Sequence, residues 1–236
     1  LPKCTKSVTK ISSDDLKQLR TREYPPTYTL PFLDGDRQIV CREVIELPNK
    51  EILFLGGESI NSFIRPKAAI TGSFLKNTWI YNSRTKKIRS GPSMNWARRG
   101  PSFLLLCDRR ILISGGWCPK SFNPVAYNEI FDPVASKLIP LPPLNVPRMD
   151  HALAELNDGS VIAAGGKTTE NVIISSVEIL KRSDKSFSIL GDLLRARYDA
   201  NVVPFGDKHA IIFGGFYEHN DSFDGYIESI SDIEYL

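Results

Sequence analysis

The sequence predicts an all-β chain of repeated four-stranded antiparallel units, and three observations carry that expectation. A Gly-Gly pair closes an apolar run four times, in Glu51–Gly57, Arg110–Gly116, Ser160–Gly166 and His209–Gly215. The intervals between successive pairs are 59, 50 and 49 residues. Around each pair, further apolar runs are separated by turn-forming residues. A period near ~50 with four strands per repeat is that of a β-propeller blade.

Within a repeat the first strand is a short apolar segment, as in Ser102–Leu106 and His151–Leu156. Asn157-Asp158-Gly159 then supplies residues that tolerate positive φ in a tight hairpin, and the second strand runs to the diglycine. A loop of variable length leads to the third strand at Asn77–Asn82, Asn128–Asp132 and Ser176–Leu180. A fourth strand is centred on Ile88, Leu138 or Phe187 and closed by Gly91-Pro92, Leu141-Pro142-Pro143 or Gly191-Asp192. Proline falls at strand ends, as its missing backbone donor requires.

Four repeats are expected at about 37–95, 96–145, 146–194 and 195–236. The last reaches its third strand at Ser231–Leu236, and residues 5–11 resemble the fourth-strand region around Phe187, so they are expected to complete that unit. Residues 1–36 are therefore read as a closing strand and a connector, with one or two helical turns after Ser13. Four diglycines fit either a four-bladed ring or part of a larger propeller.

These motifs resemble the kelch repeat family, whose blade carries a diglycine after the second strand and a Tyr-Asp-Pro-like end to the third. Phe131-Asp132-Pro133 matches that second element and Tyr81-Asn82-Ser83 matches it in part. Ile88, Leu138 and Phe187 stand where the family has a tryptophan, so the repeats are degenerate. The resemblance implies a galactose-oxidase-like propeller architecture and roles such as substrate recognition or scaffolding.

Composition narrows the function classes. Hydrophobic residues make up 42% of the chain and charged residues 24%, as in ordinary globular proteins. No run approaches the ~20 apolar residues of a membrane span, and the first residues lack a secretory core. The chain starts at Leu1, which reads as a trimmed form. Four cysteines without metal-ligand spacing read as free thiols, consistent with a cytoplasmic, intracellular setting. A net charge of +3 with dispersed lysines and arginines does not indicate nucleic-acid binding. No phosphate-binding loop, zinc-protease motif or nucleophile elbow occurs, so no catalytic residue, metal or cofactor is assigned.

The candidate binding residues lie in turns that recur. Arg99, Arg148 and Arg197 precede the next diglycine by 16, 17 and 17 residues, which would set a ring of cations on one face. Asp150, His151 and Tyr198 share those turns, and the loops after the diglycines add Trp117, Phe216 and Tyr217. Aromatics beside arginines match the composition of interface hot spots. The expected function is a protein-interaction module for a partner protein or acidic peptide, with membership of a larger complex also open. The alternatives are a carbohydrate-active or isomerase-type enzyme using Arg148, Asp150, His151 and Asp199, and a structural subunit of an assembly. In kelch repeats an arginine at this turn often bonds carbonyls of neighbouring blades, so a structural role for the three is expected as readily as a binding one.

Overall fold

A computed structural model of the chain describes residues 28–34, 37–41, 44–61, 73–118, 120–169, 172–218 and 227–236. Among them no residue is helical, and the architecture is several antiparallel sheets, four of them four-stranded. Two compact units are distinguished, one holding Gly100–Asp132 and Ile139–Leu236, the other the described residues to Arg99 together with Pro133–Leu138.

The first unit in the chain contains β1 (Tyr28–Asp34), β2 (Arg37–Cys41), β3 (Val44–Glu46) and β4 (Glu51–Leu55). These are followed by β5 (Glu58–Asn61), β6 (Ser73–Phe74), β7 (Thr78–Asn82) and β8 (Lys87–Ser90). The first repeat unit is the sheet β3-β4-β7-β8, so it begins at Val44 and not at 37. Arg37–Cys41 belongs instead to a second sheet, β1-β2-β5-β6. Tyr28–Asp34, inside the segment expected to be a connector, is a strand because it pairs with Arg37–Cys41 as a hairpin. The helical turns after Ser13 and the closing strand at 5–11 lie outside the described residues.

The chain continues with β9 (Ser102–Leu105), β10 (Ile111–Ser114), β11 (Trp117–Cys118), β12 (Asn123–Pro124), β13 (Asn128–Asp132) and β14 (Lys137–Leu141). Next come β15 (Ala152–Glu155), β16 (Val161–Ala164), β17 (Lys167–Thr169), β18 (Val172–Ile173), β19 (Ser176–Leu180) and β20 (Ser188–Asp192). The last strands are β21 (Asn201–Phe205), β22 (His209–Phe213), β23 (Phe216–Glu218), β24 (Ile227–Ser229) and β25 (Ile233–Tyr235). Strand order repeats as β9-β10-β13-β14, β15-β16-β19-β20 and β21-β22-β25, with a small hairpin after each diglycine: β11-β12, β17-β18 and β23-β24.

Local chemistry explains the hairpins between first and second strands. Asn49, Asp108 and Asp158 each accept a hydrogen bond on Oδ1 from the backbone N–H two residues on. This Asx turn places the intervening residue in the left-handed region, at Lys50, Arg109 and Gly159. Two of the three are therefore not glycine; the side-chain acceptor stabilises a conformation that the residue type alone disfavours.

The diglycines have a tertiary reason. A Cβ on Gly115 would stand 2.2 Å from the carbonyl oxygen of Arg148, and one on Gly165 would stand 2.3 Å from that of Arg197. The second glycine of each pair donates its N–H to that same carbonyl, Gly116 to Arg148 at 2.9 Å and Gly166 to Arg197 at 2.8 Å. These two diglycines are thus the contacts where the next repeat's entering turn lies against the chain.

Core packing follows from continuous apolar second strands. β10 and β16 are buried at every position and β4 at all but its first, so Leu53, Leu55, Ile111, Ile113, Val161 and Ala163 behave as expected of strands covered on both faces. β22 does not. Ala210 and Ile212 join the core cluster of Ala152, Leu156, Ile162, Val177 and Ile179, whereas Ile211 is half-buried and Phe213 exposed. Its open face also carries Phe205 and Tyr235, whose rings meet at 5.3 Å.

Candidate functional site

The turns entering the first strands and the hairpins after the diglycines meet, as the alternation of strand direction requires. Met149 and Lys167 exchange backbone hydrogen bonds, as do Tyr198 and Phe216. The carbonyl of Asp150 accepts from the Asp199 N–H at 2.9 Å, and that of Gly100 accepts from the Asp150 N–H at 3.4 Å. Gly100, Asp150 and Asp199 hold φ of 60°, 54° and 51°. Aspartate tolerates that region better than most residues, so the entering turn keeps its shape with or without glycine.

The arginines correct the expected ring in two ways. The residue equivalent to Arg148 and Arg197 is Arg98, 17 residues before Gly115; Arg98 is buried, while Arg99 is exposed. Arg148 and Arg197 are also fully buried, so their charges do not reach a mouth. Arg148 spends its five donors on the protein: Nε on the Val146 carbonyl, Nη1 on those of Gly165 and Ser176, and Nη2 on Ser176 Oγ and Glu178 Oε1. Arg197 repeats the pattern with the carbonyls of Arg195 and Gly214 and the carboxylates of Asp232 and Glu234. Burial lowers the Arg148 pKa from its ordinary value, and Glu178 at 2.8 Å opposes that shift.

Glu178 is equally committed, receiving the N–H groups of Asn145 at 2.6 Å and Val146 at 2.9 Å besides Arg148. Glu234 receives those of Leu194 and Arg195 in the same way. The carbonyl of each arginine meets one diglycine while its guanidinium holds the next, so Arg148 and Arg197 are clamps between successive repeats. Sequence reasoning passed over these glutamates, although a charged residue inside an apolar third strand recurs in Asn128-Glu129-Ile130, Val177-Glu178-Ile179 and Ile233-Glu234-Tyr235.

His151 lies under the same turn. It is 5% exposed, Nε2 stands 2.9 Å from Ser114 Oγ, and Nδ1 has no hydrogen-bond partner. Burial, assisted by the nearby Arg148 charge, lowers its pKa to about 3, so the ring is neutral at physiological pH.

Asp150, His151 and Asp199 share the wall of a cavity of about 350 Å³, formed where β9, β15 and β21 begin. Ser102 and Asn201 also line it. The Asp199 side chain opens on the cavity, yet the walls exclude enough water to raise its pKa, an effect that Lys167 opposes. The Lys167 ammonium lies 3.5 Å above the Tyr198 ring, and Tyr198 is otherwise buried against Phe216, ring to ring at 5.8 Å.

The other aromatics are arranged on the hairpins. Trp117 is half-buried and meets the ring of Phe122 at 5.9 Å in an edge-on contact. Phe122, which sequence reasoning did not single out, is 76% exposed and has φ of 54°. Phe216 and Tyr217 are half-buried, and the Arg195 guanidinium lies 5.6 Å from the Tyr217 ring while pairing with Glu228.

Among the described residues no group of three or more metal-ligating side chains occurs, and no helix is long and apolar enough to cross a membrane. Cys107 and Cys118 are in the reduced form. No protein-family model matches the chain, and no curated protein matches it in sequence. In fold it is similar to YjhT, with a TM-score of 0.65 at 12% identity, over 91% of this chain and 72% of that one. At that identity the likeness concerns the fold.

Proposed function

We propose that this chain is a kelch-like β-propeller acting as a protein-interaction module, and that its partner protein docks on the hairpins that follow the diglycines. The repeated four-stranded sheets, clamped one to the next through Arg148 and Arg197, support the propeller reading. The observation that carries the docking surface is Phe122. A phenylalanine 76% exposed, in a left-handed conformation and braced edge-on by Trp117, is a large apolar contact already held in place. Such pre-set aromatics contribute most where partners bind, since little rotamer freedom is lost.

With Arg148 and Arg197 withdrawn into the interior, an acidic partner does not meet their charges, so contact with Phe122 and Trp117 carries more of the recognition. The enzyme reading weakens on the same geometry. All five Arg148 donors are occupied, and a histidine of pKa about 3 is too poor a base to take up a proton at neutral pH.

Affinity capture from the native source, quantified against variants, tests the surface. Phe122→Ala should reduce retention of the partner by roughly tenfold or more, the size of a hot-spot loss. The paired reversal Lys86→Glu and Lys87→Glu, at the turn into β8, should leave it unchanged. Loss with the lysine variants and survival with Phe122→Ala would place the docking surface elsewhere.

A further inference from the structure

We infer that the outward face of the last sheet, β21-β22-β25, is an interface on which a second copy of this chain docks, sheet against sheet. Alternation within the three strands puts Val203, Phe205, Ile211, Phe213, Ile233 and Tyr235 on that face, with Asn201 and His209 at its two ends. The other face, through Ala210 and Ile212, is buried against the preceding repeat. Counted back from the diglycines, Ile211 and Phe213 stand where the preceding repeat has Ile162 and Ala164. Those two are fully buried, packed with Ala210, Ile212 and the half-buried Val202 of the last repeat. Leu112 holds the place of Ile162 one repeat earlier and is covered in the same way, in a cluster with Val161 and Leu153. In the last repeat that place is open.

Area and charge select the occupant. Val203, Phe205, Phe213, Ile233 and Tyr235 are 38% to 67% exposed, and together they leave on the order of 500 Å² of apolar surface on one face. Patches beyond a few hundred Å² mark interaction sites. Two copies stacked on this face remove about 1,000 Å² from water before any rim contact, the area that a specific interface has to clear. Such stacking continues the sheet-on-sheet contact that the last three repeats already make with one another. The face carries no lysine, arginine, aspartate or glutamate. A two-fold contact sets each patch against itself, so a charge near the axis would meet its own kind, and here there is none to repel. A foreign partner would find no charge on it for steering or register. The Phe205 and Tyr235 rings brace each other edge-on at 5.3 Å, so little rotamer freedom is lost when the face is covered.

Sedimentation velocity of the whole chain over a wide range of concentration tests the inference, and a monomer–dimer equilibrium is the expected result. Ile233→Glu and Tyr235→Glu should each weaken dimerisation by roughly tenfold or more, the size of a hot-spot loss, because the two-fold contact brings the introduced carboxylates together. Both positions are well exposed, so neither substitution opens the core, and circular dichroism checks the fold. The paired reversal Lys86→Glu and Lys87→Glu should leave the equilibrium unchanged. Hydrogen exchange on the unaltered chain supplies a readout that needs no substitution: exchange in β25 should slow as the concentration rises.

A chain that sediments as a monomer at every concentration would overturn the inference, as would a dimer that survives both glutamate substitutions undiminished. Exchange in β25 that does not respond to concentration would overturn it without reference to any variant. Protection of β25 that appears only when another protein is added would give the face to a foreign partner and equally overturn docking by a second copy. Partner capture through Phe122 is measured separately, so the docking surface on the hairpins and this face can fail independently.

Discussion

Arg148→Met will cost the fold about 3–5 kcal/mol, because it leaves Glu178 buried and charged without its counter-ion. The variant also strands the carbonyls of Gly165 and Ser176, which accept from Nη1 at 2.8 Å each. Urea unfolding of Arg148→Met, Glu178→Gln and the double variant separates the two contributions. Glutamine carries no charge but keeps only one acceptor oxygen, so one of the N–H groups of Asn145 (on Oε2) and Val146 (on Oε1) loses its partner and the double variant should recover part of the single-variant loss. If Arg148→Met alone unfolds within about 1 kcal/mol of wild type, the clamp between repeats is not what holds them.

Acidification will destabilise the chain between pH 6.5 and about pH 3 through His151. Its folded pKa of about 3 lies below the ordinary 6.5, so in that interval the unfolded chain binds a proton that the folded chain excludes. The stabilisation is complete above pH 6.5, falls away as the pH drops, and levels off below about 3. At 1.36 kcal/mol per pKa unit the total is on the order of 5 kcal/mol. Asp199 acts in the opposite sense through its raised pKa and offsets part of this at the acid end. Thermal melts at a series of pH values should therefore show a shallower acid slope for His151→Asn than for wild type, below an overall lower stability from the lost Ser114 contact. Parallel slopes would mean that His151 is not the group being protonated on unfolding.

Much of the fold was legible because its determinants act over a few residues. An apolar run ending in Gly-Gly reads as a strand delivered to a left-handed turn, and β10 and β16 appear where Ile111–Ser114 and Val161–Ala164 predicted them. The third strands Asn128–Asp132 and Ser176–Leu180 match to the residue, since alternation and turn chemistry bound them on both sides. The extra sheet formed by Tyr28–Asp34 and Arg37–Cys41 was missed, because its partners β5 and β6 lie across a variable loop and outside the repeat.

The recurring turn was equally visible, but the fate of its charges was not. A one-residue difference separates Arg98, buried in the arginine place, from Arg99, exposed beside it, and composition cannot tell an inward guanidinium from an outward one. That direction depends on Glu178 and Glu234, which lie 30 and 37 residues from Arg148 and Arg197. The cavity likewise exists only because β9, β15 and β21 start side by side, bringing Asp150 and Asp199 together from successive repeats. Backbone preference is a local free energy carried by each residue and its neighbours. Burial of a charge is a long-range one, decided by whichever counter-charge and carbonyls the packed sheets bring within hydrogen-bonding distance.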